Sequence, residues 1–299
     1  SFPVTDQALF FARYGKVAQR PSSNSFTSLA GMSRTTGRIS NNALQPEKTT
    51  EYEIGFRQRL TTRSALTISG FFRQISDLIQ LDDLRDAFPQ GYSTYGNKDF
   101  GTVKGFEFDF DLRRTNNVAA KVNYTMSFAQ GTGSSSTSTS LIVWIDETPP
   151  NFISPLDFDQ RHTLNVSLDY RLGKGEGPEF GGTKLLENFG VNVLMTASSG
   201  QPFTPQVEAF SQIESKAPVP AGGVNSARMP WSNRIDLRVD RKFSVGERST
   251  LSAFLWVQNL TDRQNVQGVW DFTGLPDDDG FLATSGGQQF LSSSVPVDR

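Results

Sequence analysis

The sequence predicts an all-β chain: an antiparallel, up-and-down transmembrane β-barrel, present in part as roughly nine or ten strands of a larger barrel, with long external loops. Three observations point there. Apolar and polar residues alternate through long segments, those segments exceed the usual length of globular strands, and the connectors between them alternate short and long. Composition allows it. Of 299 residues, 36% are hydrophobic and 20% charged, below the roughly 45–50% and 25% of a soluble domain. A membrane barrel is likewise poor in apolar residues, because only every second strand residue meets lipid. The net charge of −2 argues against a nucleic-acid partner. The absence of cysteine excludes disulfide scaffolds and thiolate chemistry. One histidine, His162, excludes a multi-histidine metal cluster. The longest apolar run, Leu141 to Ile145, falls far short of the roughly 20 residues of a membrane helix. No signal peptide opens the chain, so a mature, trimmed or partial polypeptide is expected.

The clearest strand is KGFEFDFDLRR from Lys104, where Phe106, Phe108, Phe110 and Leu112 oppose Glu107, Asp109, Asp111 and Arg113. Side chains that point to opposite faces with a period of two define a strand. The same beat runs through HTLNVSLDYRL, where Leu164, Val166, Leu168 and Tyr170 oppose Asn165, Ser167, Asp169 and Arg171. It returns in RIDLRVDRKF, with Ile235, Leu237 and Val239 against Asp236, Arg238 and Asp240, and more weakly in 118–128. Nine strands are expected, near 7–14, 49–60, 64–79, 100–113, 118–130, 160–172, 186–199, 231–243 and 249–260. Helical spacing is not sustained, so no helix is expected.

Connectors are long at 15–48, 80–99, 131–159 and 200–230, short at 61–63, 114–117 and 244–248, and intermediate at 173–185, with a long tail from Thr261. Tight periplasmic turns and large external loops produce that rhythm in an up-and-down membrane barrel. On this reading the aromatic and aliphatic set faces lipid. Glu107, Asp109, Asp111, Arg113, Asp169, Arg171, Asp236, Arg238 and Asp240 line the lumen, because buried charges must be paired or wet.

Several segments resemble the barrel of TonB-dependent outer-membrane receptors. Leu44 to Phe56 is similar to that family's Pro-Glu…Tyr-Glu-x-Gly stretch, and Asp159-Gln160-Arg161-His162-Thr163-Leu164 to a common strand start. Ser199-Gly200-Gln201-Pro202-Phe203-Thr204-Pro205 resembles its SGxPYTP segment. Asn233 to Arg238 and Val257 to Asp262 resemble late strands. The opening Phe10 to Lys16 and the polar loops look most like the Oar-like branch. The resemblance implies energy-coupled nutrient uptake at the outer membrane of a Gram-negative bacterium. It implies a TonB-type coupling protein reached through a region outside this chain, a possible surface lipoprotein, and no cofactor. Such barrels close with about 22 strands, so residues 1–299 are expected to be a C-terminal portion of one, without the plug.

No catalytic constellation emerges. His162 lies at a strand start, no G-x-S-x-G accompanies it, and it reads as structural. Asp277-Asp278-Asp279-Gly280 lacks the spaced ligands of a Ca²⁺ loop and reads as an external turn. Alternate carboxylates on one strand lie about 6.5–7 Å apart, which gives Glu107, Asp109 and Asp111 only a superficial likeness to a glycosidase pair. Phe88, Tyr92, Tyr95, Trp144, Phe152, Phe203, Trp231 and Trp270 are the loop aromatics available to stack on a ligand. The alternative is a secreted or surface β-rich adhesin or carbohydrate-binding module, which explains the alternation but not the connector rhythm.

Overall fold

The computed structural model describes residues 1–21, 38–39, 41–84, 86–88, 91–136, 138, 152–179, 181–182, 184–209, 219–246 and 249–294. In chain order the strands are β1 (Phe2–Thr5), β2 (Ala8–Gln19), β3 (Arg38–Ile39), β4 (Glu47–Arg59), β5 (Ser64–Leu84), β6 (Tyr92–Thr115) and β7 (Val118–Gly131). They continue with β8 (Ser154–Pro155), β9 (His162–Arg171), β10 (Phe189–Ser198), β11 (Pro202–Phe203), β12 (Ala227–Arg228), β13 (Ser232–Val245) and β14 (Ser249–Val257). A 3-10 turn at Phe281–Ala283 and a helix, α1 (Ser285–Ser294), follow.

Ten strands form one meandering sheet in the order β1-β2-β4-β5-β6-β7-β9-β10-β13-β14. Each neighbouring pair is antiparallel. Among the described residues β1 and β14 do not pair with each other, so the sheet is open. β3 adds a short parallel pairing to β6, β8 caps β7, and β11–β12 form a separate hairpin-like pair.

Register turns the sequence alternation into two faces. Phe10, Phe56, Ile68, Phe108, Tyr124 and Leu164 stand opposite one another in single file across six strands. The neighbouring file, Arg57, Thr67, Asp109, Asn123, Asn165, Thr196 and Arg234, lies on the other face. No second layer covers the apolar face among the described residues: Ile54 is 59% exposed and Phe106 61%. That arrangement is unstable in water and suited to hydrocarbon.

The nine expected strands are all present, with three differences. β5 and β6 run to 21 and 24 residues, so the expected loop 80–99 is mostly a hairpin arm. The register shifts at Asp77, whose φ of 60° marks a bulge that bends the arm. β1 lies outside the expected set, because Pro3 interrupts its pattern, and Pro is tolerated there on an edge. The expectation of no helix is corrected by α1, which carries two glycines and starts from Thr284, whose Oγ1 accepts the Gly287 N–H at 3.1 Å. The β6–β7 hairpin turns on Asn116 and Asn117, both left-handed at 47° and 73°, the torsions a two-residue type I′ turn demands.

Candidate functional site

The polar face carries the predicted charges together. Asp109 and Asp111 lie in successive files, Glu107 one file further along β6, and Arg113 two residues beyond Asp111. Asp236 shares the file of Asp111, while Asp169 and Arg238 share a file with Trp256.

The firmest device on this face spans three strands. Arg171 on β9 donates both guanidinium nitrogens to Asp240 on β13, at 2.9 and 3.0 Å. Gly190 on β10 lies between them, and a Cβ there would sit 2.9 Å from the Arg171 guanidinium carbon. Glycine therefore opens the floor over which the pair meets. Arg171 also approaches Asp169 at 3.7 Å, and Arg114 pairs with Asp169 as well. Arg73 donates to Glu51 at 2.8 Å, Arg234 to Asp236 at 2.7 Å, and Asn123 to Asp109. Arg238 lies over the Phe254 ring at 4.9 Å. At the short-turn end the face opens into a cavity of about 600 Å³ lined by Arg57, Arg59, Arg63, Arg113, Asp6 and Asp111.

At the other end, where the long connectors leave, a buried polar hub fixes the loops. Asp159 is 2% exposed. Its Oδ1 accepts the Ala129 N–H of β7 at 2.7 Å, and its Oδ2 pairs with Arg228 of β12 and lies 3.6 Å from Arg161. Arg228 also donates to the Asp159 carbonyl at 2.7 Å. Asn225 donates to the Pro155 carbonyl at 2.8 Å and to the Asp157 carboxylate at 2.7 Å. Ser199 Oγ accepts the His162 N–H at 3.0 Å, and a Cβ on Gly200 would run into the Met229 carbonyl. The Asp159–Leu164 and Ser199–Pro205 segments are thus two walls of one joint. Arg228 and Asn225 escaped sequence reasoning, since each meets its partners about 70 residues back along the chain.

His162 sits on the apolar face. Its ring stacks on Trp231 at 5.5 Å and on Tyr124 at 6.1 Å, and its Nδ1 hydrogen-bonds the Tyr124 hydroxyl at 2.8 Å. No catalytic partner faces it from this stack, and Trp231 stands with it rather than with the other loop aromatics. Phe203 packs towards Gly274 in the turn that carries Trp270, so those two loops meet. Tyr92 and Tyr95 lie on the β5–β6 arm, and the Tyr95 carbonyl accepts from Asn41 at 2.9 Å. Phe152 is partly exposed beside β8, and Phe88 is almost wholly exposed. Trp144 lies outside the described residues. Among the described residues the loop aromatics therefore do not converge on one point. Asp278 and Asp279 spend their carboxylates on turn geometry, accepting the Gly280 and Phe281 N–H groups at 2.8 and 2.9 Å. Among the described residues no three acidic or histidine side chains gather as a metal site.

Burial pushes the Asp271 carboxyl above its ordinary range. Its Oδ2 accepts the Gln206 side-chain amide at 3.0 Å, while its carbonyl accepts the Gln206 N–H at 3.0 Å. That double contact docks the 258–280 segment on the one after β11.

The outer membrane transporter YddB from Escherichia coli resembles the chain with a TM-score of 0.60 at 12% identity, over 86% of this chain and 35% of its own. The ferripyoverdine receptor of the Pseudomonas aeruginosa outer membrane, bound to ferripyoverdine, gives 0.59 at 14%, over 92% and 30%. The ferric-catecholate import receptor Fiu of E. coli gives 0.57 at 14%, over 90% and 30%. The chain thus spans about a third of the length of these relatives. No curated protein matches it by sequence. The β-barrel of TonB-dependent receptors matches residues 1–260, and the chain belongs to that family.

Proposed function

We propose that this chain is the C-terminal portion of the barrel of an energy-coupled uptake receptor. It lies in the outer membrane of a Gram-negative bacterium, as its family does. The observation that carries the reading is the two-faced open sheet, in which register puts the apolar files on one face and the charged files on the other. The apolar face meets lipid. The face bearing Glu107, Asp109, Asp111, Arg113, Asp169, Arg171, Asp236, Arg238 and Asp240 lines the hydrated lumen. The long connectors, held by the Asp159 hub, are the external loops that capture a scarce nutrient. Tyr92, Tyr95, Phe152, Phe203 and Trp270 supply stacking surfaces there. A TonB-type protein acting through a plug outside this chain drives release inward, and a surface lipoprotein can serve as lid. The work is recognition and gating, with no covalent catalysis.

Protease shaving of intact cells expressing the full-length receptor tests this reading. Cleavage is expected at the 199–231 and 258–280 loops, with the 61–63 and 116–117 turns protected until the outer membrane is opened. Recovery of folded receptor from the aqueous fraction without detergent would overturn it in favour of the adhesin.

A further inference from the structure

The apolar face carries one concave feature that the uptake reading does not use. A groove of about 450 Å³, lined almost wholly by carbon, lies between Tyr52, Ile54, Phe72, Phe106 and Phe128, with Lys104 on its wall. Gly70 forms its floor: a Cβ there would already touch the Phe106 ring at 3.4 Å, so any larger residue fills the space.

The groove has a polarity along the strand direction. Tyr14, Tyr52, Phe72, Lys104 and Phe128 occupy one cross-strand file at its loop-side end. Tyr14 and Tyr52 touch at 5.2 Å between ring centres, and Tyr52 and Phe72 at 6.4 Å. A band of aromatic rings marks the headgroup level of a membrane barrel. The next file towards the short turns, Ala12, Ile54, Gly70, Phe106 and Met126, is hydrocarbon apart from the glycine. Lys104 is thus a cation at headgroup level above a hydrocarbon slot.

Lys104 makes no ion pair among the described residues, whereas Lys48 and Lys98 each hold an aspartate. A second cation stands nearby, since the Arg161 guanidinium lies over the neighbouring Phe128 ring at 5.2 Å. Arg161 is shared with Asp159 at 3.6 Å, so Lys104, the register partner of Phe128, is the cation that complements an anionic head above the apolar slot.

We propose that this groove binds one phosphate-bearing membrane lipid, its phosphate on Lys104 and one acyl chain lying over Gly70 between Ile54, Phe72 and Phe106. The inference rests on the apolar face meeting lipid. A basic side chain at an anionic membrane surface is worth about a fivefold preference. That preference is what the site adds to the general lipid belt.

The test uses the full-length receptor reconstituted in vesicles of phosphatidylcholine alone or mixed with phosphatidylglycerol, with native mass spectrometry counting retained lipid. Wild type is expected to keep phosphatidylglycerol at about fivefold above its share of the mixture. K104Q loses that enrichment, and K104R restores it. Gly70→Leu, which fills the slot and leaves the charge, also loses it. Equal retention of the two lipids by wild type, or enrichment that survives K104Q, overturns the site while leaving the receptor reading intact. Failure of the wild type to enter vesicles at all sinks the receptor reading instead.

Discussion

Asp159 shows how one carboxylate organises the loop end of the sheet. It is buried, receives a backbone N–H from β7 and a guanidinium from β12, and so ties the connector that leaves β7 and the one that leaves β10 to the end of β7. Removing one member of a buried, hydrogen-bonded ion pair strands the other, at about 3 kcal/mol. Asp159→Ala is therefore expected to destabilise the receptor by about that amount, read as a lower urea midpoint in vesicles. The double variant Asp159→Leu with Arg228→Leu should recover part of the loss. Gly190 makes the opposite case, a residue whose value is its missing side chain. Gly190→Val would push into the Arg171–Asp240 pair, and overpacking of this kind costs about 1–3 kcal/mol. If the variant unfolds at the wild-type midpoint, the three-strand device is not what holds β9, β10 and β13 in line. Neither residue announced its role in the sequence. Asp159 belongs to a recognisable segment, but its partner Arg228 is 69 residues away, and no pattern in the sequence sets Gly190 apart from other glycines. The charges themselves, Asp169, Arg171 and Asp240, were legible because alternation alone assigns them a face.

At the scale of elements, strands with strict alternation were readable to within a few residues. β9 needed only its own Leu and Val spacing, and the Phe spacing of β6 placed 100–113 but not its first eight residues, Tyr92–Asp99, which read as loop. The extension of β5 was not readable, because the Asp77 bulge breaks the beat and Asp82-Asp83 looks like a loop. α1 was hidden for a different reason: its Gly- and Ser-rich sequence has low helix propensity, and only its Thr284 cap signals a start. The docking of the 258–280 segment on Gln206 adds a pH dependence. Folding raises the Asp271 carboxyl because burial disfavours its charge, so the protonated form is the one the folded loop prefers. That contribution is complete below the ordinary range of a free aspartate carboxyl. It is lost as pH rises through the folded value. Hydrogen exchange at the Gln206 amide, corrected for its intrinsic rate, should therefore show greater protection on the acid side than at neutral pH, and Asp271→Asn should flatten the difference. Protection that increases as Asp271 ionises would contradict the burial account.

For the whole molecule, the decisive property is that each strand residue has one of two solvents. Among the described residues the sheet has almost no core of its own; Leu156 and Ala129 are among the few buried apolar residues, and they sit at the loop end. Stability must then come from the inter-strand ladder and from hydrocarbon around the apolar files. Because residues 1–299 have no cysteine, single cysteines placed along β6, in a receptor whose other regions carry none, give a clean reading of those solvents. In the full-length receptor in vesicles, thiols at 107, 109 and 111 are expected to react with a water-borne maleimide once the lumen is open, and those at 106, 108 and 110 to stay protected. Energetics should follow the same beat. Phe108→Arg puts a guanidinium among acyl chains and is expected to cost about 2–4 kcal/mol near the bilayer midplane, seen as a shifted urea midpoint. Asp109→Arg, one residue on, meets water and should move it by less than about 1 kcal/mol. Uniform labelling along 106–111, or equal penalties at 108 and 109, would mean that this face is not turned to lipid, since a strand with one environment on both sides has no reason to distinguish odd residues from even.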